Sequence, residues 1–266
     1  MSSKELTDGY DAVGKVSLVG AGPGAVDLIT LRCQKALAEA DAVIYDDLAN
    51  IELLEFCPPE ATRIYVGKRA GRRCTSQVEI GEILVREARQ NRHVVRLKGG
   101  DPLIFGRGGE EAQVLVEAGI PFEIVPGVTA AAAAGAVAGI PLTQRGYASA
   151  VVFVTGHECR GKSPETAVDW AALARTRATL CIYMGSRRLG AIASELVAGG
   201  MSGDTPLAVV TEATLPTQAV HLSTLDSAGE LAATLVGKPA LIIVGAVVNL
   251  AEILSQASVR WEAQPA

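Results

Sequence analysis

Short runs of β-branched and aliphatic residues return along this chain at regular intervals: KVSLVG at 15–20, AVIY at 42–45, RIYV at 63–66, HVVRL at 93–97 and FEIV at 122–125. Between several of them, at 28–40, 77–90 and 109–118, apolar residues recur every three or four positions, the period of a helix with one buried face. Such alternation predicts a largely parallel sheet covered by helices, because parallel neighbours are joined by crossovers that lay the connecting helix on a face of the sheet. After VPGVT the pattern restarts with AVVFVTG (150–156), ATLCIYMG (178–185), PLAVVT (206–211), AVHL (219–222) and ALIIVG (240–245). Helices are predicted near 169–175, 190–199, 226–235 and 249–255. Pro126, Gly127 and later Pro141 punctuate the join. The chain therefore reads as two α/β domains, residues 15–127 and 128–255, with loose tails at 1–14 and 256–266 that carry no periodicity.

Composition agrees with covered parallel sheets. Hydrophobic residues make up 49% of the 266 but aromatics only 4%, so the core must be built from Val, Leu, Ile and Ala. A net charge of −5 argues against a general binder of nucleic acid or anionic membrane, which would carry a broad basic surface. Locally the balance reverses: Arg63, Lys68, Arg69, Arg72 and Arg73 lie together with no acidic residue among them. That island is either a solvated loop or the grip for a polyanionic small molecule. The five cysteines (Cys33, Cys57, Cys74, Cys159, Cys181) are scattered without C-x-x-C spacing, which indicates neither a disulfide framework nor a zinc site and fits a reducing cytoplasm. His157 and Cys159 alone are too few for a metal centre, and no metal is expected. With no apolar signal core at the N-terminus and no apolar run long enough to span a bilayer, the expectation is a soluble, unexported protein.

Two glycine-rich turns mark candidate sites. Gly20, Gly22 and Ala25 satisfy G-x-G-x-x-G/A after the first strand run, and Asp46 ends the second run about where a ribose-binding acid stands in dinucleotide enzymes. Pro23 and Gly24 fit that pattern poorly, so the turn signals a ligand without naming it. The second lies in VVRLKGGDPLIFGRGGEE, from Val94 onward, where glycine clusters flank DPLIF and bare the backbone between a strand and a helix beginning near Gly108. Carbonyl oxygens there suit a sulfonium cation, and Asp101 suits hydroxyl or ammonium groups. Arg107, Glu110 and Glu111 crowd the helix start. For Glu111 the reading is favourable placement against the helix dipole; for Glu110 it is a functional role. The small-residue run TAAAAAGAVAG (129–139) predicts a helix that admits another backbone or a flat ligand at close range.

With these motifs the chain closely resembles the tetrapyrrole methylase family, and within it the branch that C-methylates uroporphyrinogen III. The resemblance runs from Lys15 to Val248 through VGAGPG, DAVIYDDL, VGKRAG, RLKGGDPLIFGRGGEE, VPGVTAA, AGIPLTQRGYA, FVTGH, YMG, DTPLAVV and PALIIVG, in the family's order. It implies two α/β domains with S-adenosylmethionine folded into the cleft between them, a fold distinct from the common Rossmann-type methyltransferase, and S-adenosylhomocysteine as product. Carried over by position, it assigns S-adenosylmethionine contacts to Pro23, Gly99, Gly100, Asp101, Ile104, Thr129, Ala130, Met184, Ala213 and Ala240. Asp46 matches the family's proton acceptor and Lys68 its proton donor. Arg107, Glu110 and Arg145 match residues that grip or deprotonate the tetrapyrrole, and Lys68, Arg69 and Met184 complete the substrate side. A homodimer is implied as well. The chain departs from the family pattern at Ala25, Asp47, Arg73, Gln144, Gly146 and Ala213.

The implied activity is methylation of uroporphyrinogen III at C2 and C7 to give precorrin-2, which feeds sirohaem, cobalamin or haem d1 synthesis. The substrate is a reduced macrocycle fringed by carboxylates, and its pyrrole carbons are electron-rich. Alignment of carbon, methyl and sulfur then carries much of the catalysis, with Glu110, Asp46 or an unusually placed arginine as base. The high pKa of arginine favours Arg107 and Arg145 as forked carboxylate clamps. No dehydrogenase–chelatase domain precedes the chain, so later steps are expected elsewhere. Two alternatives stay open at this point: the same fold acting on another tetrapyrrole or acceptor, and a nicotinamide oxidoreductase or inactive S-adenosylmethionine-binding relative.

Overall fold

The computed structural model describes residues 13–67, 75–90, 92–157, 167–235 and 237–256. They form two compact units that divide between Thr129 and Ala130. The first contains strands β1 (Lys15–Gly20), β2 (Ala42–Tyr45), β3 (Thr62–Tyr65), β4 (His93–Lys98) and β5 (Phe122–Val125), in the order β3-β2-β4-β1-β5. Every pairing is parallel. Helices α1 (Leu31–Ala38), α2 (Gln77–Ala88) and α3 (Gly108–Glu117) cover it.

Side chains alternate across a strand, and the two faces of this sheet carry separate cores. Val19, Val43, Val95 and Leu97 pack with Cys33, Ala36 and Leu37 of α1. Val16, Leu18, Ile44 and Val94 pack with Ile80 and Leu84 of α2 and Leu115 of α3 on the other face. Over the central strands both faces are covered, which is why β1, β2 and β4 are largely apolar, while the edge strands β3 and β5 keep exposed side chains. Helix starts follow local chemistry. Thr30 accepts from Cys33 N (3.1 Å) at α1, and Ser76 and Glu79 form a reciprocal capping box at α2 (3.2 and 2.7 Å).

The second unit holds α4 (Ala130–Val137), β6 (Val151–Thr155), α5 (Trp170–Ala174), β7 (Thr179–Tyr183), α6 (Leu189–Ala198), β8 (Pro206–Thr211), β9 (Ala219–Thr224), α7 (Ala228–Thr234), β10 (Ala240–Val244) and α8 (Leu250–Ser255). Its strand order is β6-β7-β10-β8-β9. Only β6 and β7 run parallel; the other pairings are antiparallel. The repeated alternation had suggested a second parallel sheet. The short link between β8 and β9, residues 212–218, cannot make a parallel crossover and closes a hairpin instead. Both faces again carry cores, one against α5, α6 and α7, the other against α4 and α8.

The sequence AGIP occurs twice, at 118–121 and 138–141, and each copy stops a helix in the same way. Gly119 and Gly139 take positive φ (70° and 64°), and the next amide turns back, Ile120 N to Leu115 O (2.9 Å) and Ile140 N to Gly135 O (2.8 Å). Glycine is favoured there because the left-handed conformation is costly for residues with a Cβ. The expected N-terminal tail is shorter where described, since Gly14 N donates to Ala88 O (2.9 Å); 1–12 and 257–266 lie outside the described residues.

Candidate active site

In the first unit the predicted residues collect at one edge of the sheet, where parallel strands end and loops begin, as ligand sites do in open α/β sheets. Pro23 follows β1, Asp46 follows β2, Gly99 to Ile104 follow β4, and Gly127 follows β5. The loops after β1 and β4 are stitched by paired backbone bonds, Gly22 N to Gly100 O (3.2 Å) and Gly100 N to Gly22 O (2.6 Å). Asp101 joins a third loop, its Oδ2 accepting from Gly127 N (3.1 Å) while Oδ1 accepts from Leu103 N (2.9 Å). Asp101 thus fixes the loop that it was expected to equip. Pro23 and Ile104 remain partly exposed beside it.

Topology removes the nicotinamide reading. A dinucleotide-binding sheet sets β1 next to β2, so that the acid ending β2 lies beside the glycine turn. Here β4 stands between them. The glycine turn leads into a short 3₁₀ segment, Val26–Leu28, and α1 does not begin until Leu31, so no α-helix starts directly from the turn.

Asp46 is held by a buried ionic network that sequence reasoning missed. Val94, Arg96 and Lys98 share one face of β4 by strand alternation, the face covered by α2 and α3. Arg96, only 3% exposed, donates from Nη2 to Asp46 Oδ2 (2.7 Å) and from Nε to Glu111 Oε1 (3.2 Å). Lys98 Nζ (2.9 Å) and Gln77 Nε2 (3.0 Å) donate to the same Glu111 oxygen. Burial, with Arg96 beside it, pushes the Lys98 ammonium below its ordinary value, against the pull of Glu111. Glu111 is therefore no mere complement to the helix dipole: its side chain is fully buried at the hub of two cations. The available signal was the pair of charges at alternate positions of an otherwise apolar strand.

Arg107 takes a left-handed conformation (φ 58°) immediately before α3 and forks onto Glu110, Nε to Oε1 at 2.8 Å and Nη2 to Oε2 at 2.6 Å. These hydrogen bonds hold the Glu110 carboxyl below its ordinary value, which makes it a poorer proton acceptor than an unpaired glutamate. Both side chains are more than half exposed. Arg145 is exposed near the tip of a tight turn bridged between Gln144 and Ala148, where Gly146 takes positive φ (84°). Asp47 hydrogen-bonds Tyr65. Of the basic island, Arg63 donates to Leu54 O (3.2 Å); Lys68, Arg69, Arg72 and Arg73 lie outside the described residues. Among the described residues, no three His, Cys, Asp or Glu side chains form a metal-binding group.

In the second unit, register gathers the predicted residues at one end of the sheet. Tyr183 pairs with Leu241 and Thr211 with Ala240, so Met184 after β7, Ala213 after β8 and Ala240 at the start of β10 are neighbours at that end. Met184, Glu212 and Thr214 all take positive φ (55°, 48° and 72°), a concentration of unfavourable backbone in two adjacent loops. Gln218 Oε1 accepts from Thr214 N (2.7 Å) to secure one of them. At the same end Tyr183 Oη accepts from Ala131 N (3.2 Å) in the first turn of α4; Ala130 precedes it, and Thr129 ends the first unit.

Residues 15–229 match the family model described as Tetrapyrrole (Corrin/Porphyrin) Methylases. A siroheme synthase of Yersinia pseudotuberculosis is 52% identical over 241 residues, 91% of this chain but 50% of that protein; the chain spans about half the length of the curated relatives it matches. Among solved structures, a uroporphyrin-III C-methyl transferase from Thermus thermophilus complexed with S-adenosyl homocysteine is 40% identical with a TM-score of 0.76, covering 89% of this chain and 100% of that one. A cobalt precorrin-4 methyltransferase is 31% identical with a TM-score of 0.78, covering 88% and 95%.

Proposed function

The chain belongs to the tetrapyrrole methylase family, and from that premise we propose that it methylates uroporphyrinogen III at C2 and C7, with S-adenosylmethionine as donor, to give precorrin-2. The observation that carries the reading is the stitched loop at Gly99–Ile104 beside Asp46. Lys98, the cation nearest that loop in sequence, turns its ammonium inward to Glu111. The loop therefore offers backbone, Asp101 and the partly exposed Ile104, a surface that fits a nucleoside bearing a sulfonium.

Pro23, Gly99, Gly100, Asp101, Ile104, Thr129, Ala130, Met184, Ala213 and Ala240 would hold S-adenosylmethionine, which when bound supplies an electrophilic methyl group. The chain's own residues do the rest. Arg107, already aimed by Glu110, meets a substrate carboxylate with its forked donors, and Arg145, unpaired among the described residues, meets another. Positioning the nucleophilic pyrrole carbon is the main task, since well-oriented reactants shed much of the entropic barrier. For each methyl group gained the ring system loses one proton, which Asp46 takes as the thioether leaves; Lys68, matched to the family's proton donor, belongs to the substrate side. Homodimeric assembly and a cytoplasmic location complete the proposal, and sedimentation equilibrium of the purified protein tests the former.

Incubation with S-adenosylmethionine and uroporphyrinogen III should add the mass of two methyl groups to the macrocycle. No increment, together with turnover of a later corrin precursor, would instead favour the second reading, prompted by the similarity to the cobalt precorrin-4 enzyme.

A further inference from the structure

The buried network behind Asp46 has more charge than packing requires. Arg96, Lys98 and Glu111 are each less than a tenth exposed, and two cations with one buried carboxylate inside a sheet–helix interface are costly unless geometry repays the lost hydration. The geometry is specific. All three nitrogens of Arg96 are engaged: Nε on Glu111, Nη2 on Asp46, and Nη1 on the carbonyl oxygens of Leu97 (3.0 Å) and Ile44 (3.5 Å). A planar guanidinium tied at so many points has no freedom to rotate. On Glu111, one oxygen takes three donors, while buried Oε2 has no hydrogen-bond partner. That orphan means the carboxylate is oriented for Arg96 and Lys98 at the expense of its own satisfaction. The network reaches solvent at one acid, Asp46, whose side chain is 25% exposed.

We propose that Arg96, aimed by Glu111 and counterbalanced by Lys98, is a positioning residue that fixes the Asp46 carboxylate in orientation for proton removal. Arg96 touches neither substrate nor donor; it acts through Asp46. The inference rests on the function proposed above and gives a role to a residue to which the sequence motifs assign none.

A double-mutant cycle tests it, because residues acting as a unit are strongly non-additive. Arg96→Lys keeps the charge, but a single ammonium on a shorter stem cannot span Asp46 and Glu111. The expected result is a fall in kcat of about 10²-fold, the scale of a small misplacement, with S-adenosylhomocysteine affinity by calorimetry unchanged. In an Asp46→Asn background the same change should cost nothing further. Glu111→Gln, close in shape, is the second variant if Arg96→Lys does not fold, and should show the same loss and the same silence in the Asp46→Asn background. Equal losses in both backgrounds, or wild-type kcat in the folded variants, overturn the inference while leaving the function standing. A wild-type protein that binds no S-adenosylhomocysteine and methylates no uroporphyrinogen III overturns both.

Discussion

Two acids near the site sit in different surroundings, and their substitution should separate their roles. Glu110 is forked to Arg107 in the open, so Glu110→Gln should raise KM for uroporphyrinogen III several-fold with kcat nearly kept. Asp46→Asn should lower kcat by about 10²–10⁴-fold, the usual worth of a general base. Steady-state kinetics with both variants decides between them, and the reverse pattern would return the base to Glu110. Because the Arg107–Glu110 pair is exposed, Arg107→Ala should change stability by no more than about 1 kcal/mol. At the far end of the same sheet His93 lies between Glu39 O (3.0 Å from Nδ1) and Ser17 Oγ (2.9 Å from Nε2), and Ser17 also reaches Glu123 (2.9 Å). Burial first, then Lys15, holds its pKa below the ordinary 6.5. The unfolded chain therefore binds that proton more readily, and stability should decline as pH falls through 6.5 until the folded imidazole is protonated as well. Melting curves of wild type and His93→Gln between pH 7.5 and about 5 check this; an unchanged slope in the variant would assign the effect to other groups. Asp46, Arg107 and Glu110 were legible as motif residues. Arg96 and Glu111 stand at the two ends of the motif RLKGGDPLIFGRGGEE, but their roles were not legible there, because those roles depend on which helix lies over which face of β4.

The loops of the first unit depend on backbone-to-backbone approach. A Cβ built on Gly20 would lie 2.6 Å from Gly100 O, and one on Gly127 only 2.2 Å from the same oxygen. Neither contact can be relieved by rotating a side chain. Gly127→Ala should therefore part the loops after β4 and β5, break the Asp101 bond to the Gly127 amide, and abolish S-adenosylhomocysteine binding in calorimetry. Gly109, in the first turn of α3, is the contrast, with nothing within 4 Å of a built Cβ. Gly109→Ala should raise stability by about 0.5–1 kcal/mol, the entropic cost of a helical glycine, and leave binding alone. Glycine richness was visible in the sequence, and so was the loop between DPLIF and its flanks. Which glycines touch one another was not, since residues 20, 100 and 127 meet only through strand order.

Among the described residues each unit has its own pair of hydrophobic clusters. Trp170 is buried in the second unit (3% exposed), and residues 1–129 contain no tryptophan. The other tryptophan, Trp261, lies outside the described residues, so the fluorescence of a Trp261→Phe protein reports the second unit through Trp170. Leu180→Ala, in its core, should destabilise the fluorescence transition by about 2–5 kcal/mol, the range for a buried leucine truncation. Leu18→Ala, in the core of the first unit, should leave that transition in place while lowering the stability seen by circular dichroism. Coincident shifts in both variants would mean that the units unfold as one.

Period and punctuation, which are local, were enough to read the strands, the helices to within a few residues and the two-part α/β plan from the chain alone. The family, too, was legible in the ordered motifs. Strand order was not, because hydrophobic alternation is blind to which strand lies beside which, and it is strand order that excludes a dinucleotide site. The antiparallel run of the second sheet and the ion network behind Asp46 were likewise decided by tertiary structure. Buried charges keep their ionised form only where partners from distant segments meet them, and no window of sequence contains that meeting.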